Sequence, residues 1–192
     1  MKSEEYRFYA LVSRMRYITR WGLMRNTFSE NVQEHSHMVA VLAHGLALIR
    51  RDILGLPADP ERCATAALFH DIGKVQELSA FPENDYTDDG QLLGHIVIGT
   101  MMVADRIKEI PGFPAKTAAE LKHCILAHHG ELEYGSPKKP ALLEALALNF
   151  ADNTDAKMET MLEVLKSGGE NPGWLGYNRF LETNVRKTTP TE

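Results

Sequence analysis

Cysteine is scarce in this sequence: among 192 residues only Cys63 and Cys124 occur. Both sit inside apolar stretches without paired-cysteine spacing, which excludes a disulfide framework or a cysteine zinc site and leaves two small buried thiols. No uncharged apolar run is long enough to span a bilayer. The first residues are charged and lack the apolar segment of a signal peptide, so a cytoplasmic location in a reducing compartment is expected. Positive charge is not in excess either. Lys and Arg number 21 against 26 Asp and Glu, a net charge of −5 that argues against the broad basic face used on duplex nucleic acid but leaves room for a local basic pocket. Internal repeats, low-complexity tracts and inter-domain linkers are also missing. With 44% hydrophobic and 24% charged residues, the chain reads as one domain over 1–192, with a core at about 6–166 and a C-terminal helical tail at about 172–187.

What is present reads as nearly all helix. An amphipathic stretch runs from Tyr6 to about Ile18. Asn31 with Glu34 forms a capping box for a helix to about Arg51, with Val32, His35, Val39, Leu42 and Leu46 on one inward face. Asp59-Pro60 starts a helix that reaches His70-Asp71. A polar loop from Ser79 to Gly90 leads to a helix from about Gln91 to Ile110, and Thr117 with Glu120 reads as a second capping box. That helix ends at His128-His129, with Gly130 as a left-handed cap. The last long helix covers Ala141 to Lys166, and Trp174, Tyr177 and Phe180 recur at helical period in the tail.

His35, His70-Asp71, His95, His128-His129 and Asp152 form a series of metal-ligand residue types, each on or at the end of a separate readable helix. Helical bundles build metal sites from side chains on facing helices in this way. A divalent metal polarises phosphoryl oxygens and lowers the pKa of bound water, which supplies a hydroxide nucleophile. His35, His70, Asp71 and Asp152 suffice for one ion. His95, His128 and His129 suffice for a second, with Asp71 shared between them. His37 lies about 200° around its helix from His35, and His37, His44 and His123 read as ordinary surface or core histidines. Imidazole and carboxylate ligands suit manganese, iron, cobalt, nickel or zinc and do not choose among them.

The H…HD…D pattern of His35, His70-Asp71 and Asp152 resembles the HD-domain phosphohydrolase superfamily over most of the chain. The resemblance implies an all-α helical bundle around one or two metals, hydrolysing phosphate esters that are often nucleotides. His95 and His128-His129 resemble the extra ligands of its binuclear branches. Within that superfamily the two halves point differently. Ser13-Arg14-Met15, Arg20-Trp21, Leu23-Met24-Arg25-Asn26 and Glu30-Asn31-Val32 with Glu34-His35-Ser36 resemble the bacterial 5′-deoxynucleotidases. That likeness implies that Arg20 holds the nucleotide phosphate and Trp21 discriminates at the sugar, roles that suit a bidentate guanidinium and a rigid indole wall. From His70-Asp71-Ile72-Gly73-Lys74 onward, with Gly94-His95, His128-His129-Gly130, Tyr134-Gly135-Ser136-Pro137 and Ala151-Asp152-Asn153, the sequence resembles the HD domain of bacterial 3′-to-5′ exoribonucleases. Two departures stand out. The OB-type nucleic-acid-binding domain of those exoribonucleases has no counterpart here, so processive action on long RNA is not expected. Where the 5′-deoxynucleotidases carry a catalytic glutamate, this chain has Lys74, which as in the HD-x-G-K members would contact a phosphate oxygen beside the metals.

The expected function is a metal-dependent nucleotide phosphohydrolase, a 5′-nucleotidase-like phosphomonoesterase with Asp71 and Lys74 as catalytic residues and Arg20, Trp21 and Lys74 on the substrate. The alternatives are a phosphodiesterase on short oligonucleotides or cyclic nucleotides and a non-catalytic nucleotide-sensing module. The expected partners are a nucleotide or short nucleotide ester, no long nucleic acid, no membrane, and, from the related nucleotidases, a second copy in a homodimer.

Overall fold

In the computed structural model, residues 3–19, 30–79, 83, 85–171 and 173–189 are described. The chain divides into two compact units, Met1–Asp152 and Asn153–Glu192. The first begins with helix α1 (Ser3–Arg14) and a 3-10 turn, Met15–Tyr17. Helix α2 (Val32–Leu48) starts on the expected capping box: the Glu34 backbone N–H donates to Asn31 Oδ1 at 2.9 Å, and the Asn31 N–H reaches back to Glu34 at 3.4 Å. Its buried face carries Val32, His35, Val39, Ala43 and Ala47, whereas Leu46 is 45% exposed and lies off the face assigned to it. The helix loosens into a π turn over Ile49–Ile53. Helix α3 (Pro60–Phe69) is capped by Asp59, which accepts from the Arg62 N–H at 2.9 Å. Helices α2 and α3 pack on each other through small buried residues, Ala40, Ala43 and Ala47 against a face with Cys63, Ala66 and Ala67. Cys63 and Cys124 are buried free thiols whose pKa values burial pushes up to about 12.

Helix α3 stops at Phe69, so His70 and Asp71 lie in the turn before the one-turn helix α4 (Lys74–Glu77). Helix α5 (Asp88–Lys108) begins three residues earlier than the sequence pattern suggests, because the Thr87 hydroxyl accepts from the Gly90 N–H at 2.9 Å. Helix α6 (Ala115–Leu126) starts after Pro114, not at a Thr117–Glu120 capping box. Glu120 is taken instead by Arg62 of α3, 2.5 Å away, and the fixed φ of Pro114 makes a sufficient start. His128 and His129 follow in a turn that ends at Gly130, φ 80. Helix α7 (Leu143–Ser167) starts two residues after the expected Ala141, whose N–H donates to His123 Nε2 at 2.9 Å. Leu148 and Ile72 are fully buried in the core, each contributing about 1.5–3 kcal/mol.

The second unit holds the end of α7 and corrects the expected helical tail. It is a β-hairpin, β1 (Trp174–Asn178) antiparallel to β2 (Thr183–Arg186) with a bulge between Trp174 and Gly176. Trp, Tyr, Thr and Val favour a pleated strand, and the Asn178 side chain closes the turn by accepting from the Phe180 and Leu181 N–H groups at 2.9 Å. Trp174 and Tyr177 lie on β1, with the bulge between Trp174 and Gly176, and Phe180 lies in the turn, so their helical spacing marks no helix. No helix among the described residues is long and apolar enough to cross a membrane.

Candidate metal centre

All seven side chains of the ligand series meet in the first unit. His35 comes from α2, His70 and Asp71 from the turn after α3, His95 from α5, His128 and His129 from the turn after α6, and Asp152 from α7. Within the series, three groups have ligand atoms all within 4.8 Å of one another: His35, His70 and Asp71; His70, His128 and Asp152; and His95, His128 and His129. His35 Nε2 lies 3.1 Å from Asp152 Oδ1 and 3.9 Å from Asp71 Oδ2. Asp71 faces both ways: Oδ2 is 3.5 Å from His70 Nε2, while Oδ1 is 3.4 Å from His95 Nε2 and 3.8 Å from His128 Nε2. The rings of His128 and His129 lie 4.3 Å apart between centroids, and those of His95 and His129 5.2 Å.

The close packing of His95 on Asp71 depends on Gly73. A Cβ there would collide with the His95 carbonyl oxygen and the Gly99 backbone, so only glycine lets α5 approach this near.

Four of the rings are anchored through Nδ1. His70 meets the Ala67 carbonyl at 2.6 Å, His128 that of Ile125 at 2.7 Å, His129 that of Tyr134 at 2.8 Å, and His95 the Glu77 carboxylate at 3.1 Å. The lone pairs on Nε2 are thereby turned inward. His70, His95 and His128 Nε2 and Asp71 Oδ1 are buried without a hydrogen-bond partner. Orphaned buried acceptors at this density are costly, but atoms sharing a metal at about 2.1 Å stand about 3.0–3.4 Å apart. The residues therefore fit divalent ions.

Electrostatics agree. Burial pushes the pKa of His70 and His128 down, His128 far down with its neighbours His70 and His129 adding to it, so the rings are held neutral as ligands must be. Burial lowers His129 as well, with His95 adding to it. Burial alone would raise Asp71, yet the Lys74 ammonium and then the surrounding imidazoles hold its carboxyl well below the usual range. Asp152 is likewise lowered against its burial, chiefly by the hydrogen bond with His35. Lys74 opens α4 with Nζ 3.0 Å from Asp71 Oδ2 and a side chain only 16% exposed. Arg20 and Trp21 lie outside the described residues. His37 is exposed, and His44 and His123 join none of the three groups.

The ligand series omitted Glu77. Its only trace in the sequence is an acidic residue between Val75 and Leu78, both of which are buried.

Comparison with known proteins finds relatives of both kinds. A family model described as 5′-deoxynucleotidase YfbR-like matches residues 7–77. The 3′-5′ exoribonuclease YhaM of Shouchella clausii is 39% identical over 130 residues, 68% of this chain and 40% of that protein. YhaM of Bacillus subtilis is 41% identical over 113 residues, 57% of this chain and 36% of that protein. The chain thus spans about two fifths of the length of these relatives. An HD-domain phosphohydrolase from Listeria innocua shares the fold, with a TM-score of 0.56 at 19% identity over 93% of this chain and 75% of that one.

Proposed function

We propose that this chain, which belongs to the HD-domain superfamily, is a two-ion phosphohydrolase that removes the phosphate from nucleoside 5′-monophosphates. The observation that carries the hydrolase reading is the convergence of five imidazoles and two carboxylates whose inward-facing atoms include four buried ones with no hydrogen-bond partner. Divalent ions there supply charge against the phosphoryl oxygens and a water of lowered pKa. His35, His70 and Asp152 would hold one ion, His95, His128 and His129 the other, and Asp71 both. Lys74, beside Asp71, neutralises a phosphate oxygen. Arg20 grips the phosphate and Trp21 walls the sugar. One observation supports those roles: the YfbR-like match encloses both residues. The buried free thiols suit the cytoplasm, and a homodimer is the assembly to test by sedimentation.

A second reading has its own support. The part of the chain from His70 on is likened to exoribonucleases, and Lys74 stands where the nucleotidases have glutamate. It predicts phosphodiester cleavage of a short oligonucleotide or cyclic nucleotide.

Phosphate release from a mononucleotide panel, set against product analysis on dinucleotides and cyclic nucleotides, separates the two. On the leading reading Arg20→Ala lowers kcat/KM by about 2–4 kcal/mol, as expected for one partner of a desolvated charge pair, and Trp21→Ala relaxes sugar preference. No release from any mononucleotide by the metal-loaded protein overturns it.

A further inference from the structure

Glu77 is assigned no role by the ligand pattern or the resemblances, yet it is only 8% exposed at the end of α4. A buried carboxylate needs partners, and Glu77 has two on a single residue. Its Oε1 accepts from the His95 backbone N–H at 2.9 Å and lies 3.1 Å from His95 Nδ1.

The first contact follows from a break in α5. Gly94 leaves helical conformation at φ 71, ψ 159, a region open in practice to glycine alone. His95 therefore starts a fresh run of helix, and the carboxylate takes the place of an N-terminal cap. The second contact serves no helix. With Nδ1–H donating to Glu77, the ring is fixed in the tautomer whose Nε2 carries the lone pair, and that Nε2 is the buried atom 3.4 Å from Asp71 Oδ1. Glu77 is itself clamped: its carbonyl accepts from the Thr87 N–H at 2.9 Å, and Gly90 leaves no room for a Cβ against that carbonyl.

We infer that Glu77 is a positioning residue that aims His95 at the ion shared with His128 and His129, a role that rests on the two-ion reading above. A cap alone would need only the backbone contact. Holding the backbone and the ring of one residue with one oxygen leaves His95 a single orientation, and it is the one directed at Asp71. Supporting carboxylates of this kind tune ligand basicity as well as direction.

The test is titration of the metal-free full chain with Co2+, read by calorimetry and by the absorption of the bound ion, in wild type, Glu77→Ala, Glu77→Gln and His95→Ala. Wild type takes up two ions. Glu77→Ala weakens one of them by about 10- to 100-fold, the same ion that His95→Ala weakens, and leaves the other unchanged. Glu77→Gln stays close to wild type, because its amide oxygen accepts from both N–H groups. A Glu77→Ala protein that melts lower but binds both ions as wild type does overturns the proposal and leaves Glu77 a helix cap. If Glu77→Ala does not fold, Glu77→Asp, with its carboxylate withdrawn by one carbon, is titrated against Glu77→Gln. Weakening in Asp alone supports the proposal, and equal affinities overturn it. A wild type that binds one ion overturns the two-ion reading, and Glu77 is then judged by that ion's affinity in the same variants.

Discussion

His70 and His128 hold their rings by the same local device, while His95 and His129 depend on partners from elsewhere. Each of the first two follows a helix, α3 or α6, and turns Nδ1 onto a carbonyl three residues back, Ala67 or Ile125. Both are fully buried. His95 leans on Glu77, eighteen residues away in sequence, and His129 on the Tyr134 carbonyl beyond Gly130. Both of these rings are only partly buried. The lesson is that one side of the centre is prepared by helix ends that form anyway, whereas the other needs loops and a kinked helix to arrive correctly. The first side should tolerate changes around it, and the second should be the first to lose metal.

The largest effect is expected where the two sides join. Asp71→Ala removes the carboxylate that faces both, and hydrolysis and most bound metal should be lost while the helical circular dichroism survives. Metal analysis with a phosphate-release assay measures this, and turnover near wild type would break the comparison at its centre.

A smaller and more selective effect separates the adjacent histidines. His128 belongs to a group with His70 and Asp152 as well as to the one with His95 and His129, whereas His129 belongs only to the latter. His128→Ala and His129→Ala should therefore weaken the same ion, His128→Ala the more strongly because its fully buried ring also borders His70 and Asp152. Identical losses in calorimetric titrations of the two variants would show that the sides are not distinct.

The smallest effect is on the stability of the metal-free protein. Burial lowers the folded-state pKa of His70 and His128, so the unfolded chain takes up protons first and stability falls as pH drops below the ordinary histidine value of about 6.5. The limit is about 1.4 kcal/mol per pH unit for each ring. Asp71, Asp152 and Glu77 are also lowered; their contribution is present above about pH 4 and is lost below it, in the same direction. Urea midpoints for the stripped protein should be flat from pH 8 to 7 and decline by pH 5.5. Added metal should restore the loss wherever protons do not outcompete it. A flat profile through pH 5.5 would mean the inner pair is no more sheltered than the outer one.

Much of this was legible in the residues. The Asn31–Glu34 and Asp59–Pro60 starts are local signals, complete within four residues, and the structure uses both. The misread elements are those where a distant group competes. Glu120 could have capped α6 but is held by Arg62. The tail's aromatic spacing reads as helix until the bulge and the Asn178 turn are known. Glu77 could not be recognised, because nothing in a linear chain brings it to His95.

The sequence by itself determined the kind of chemistry. Imidazoles and carboxylates at helix ends, the glycine at 73 and the lysine at 74 belong to the chain whatever its shape, and helix periodicity and capping act over a few residues. Only the tertiary structure decided which atoms face which. It set Asp71 between two groups of histidines, turned Nε2 rather than Nδ1 inward, brought Lys74 onto Asp71 and recruited Glu77 behind His95. Those choices depend on the packing of α3, α4, α5 and α6, a balance of close contacts between residues far apart in the chain, which no local signal encodes.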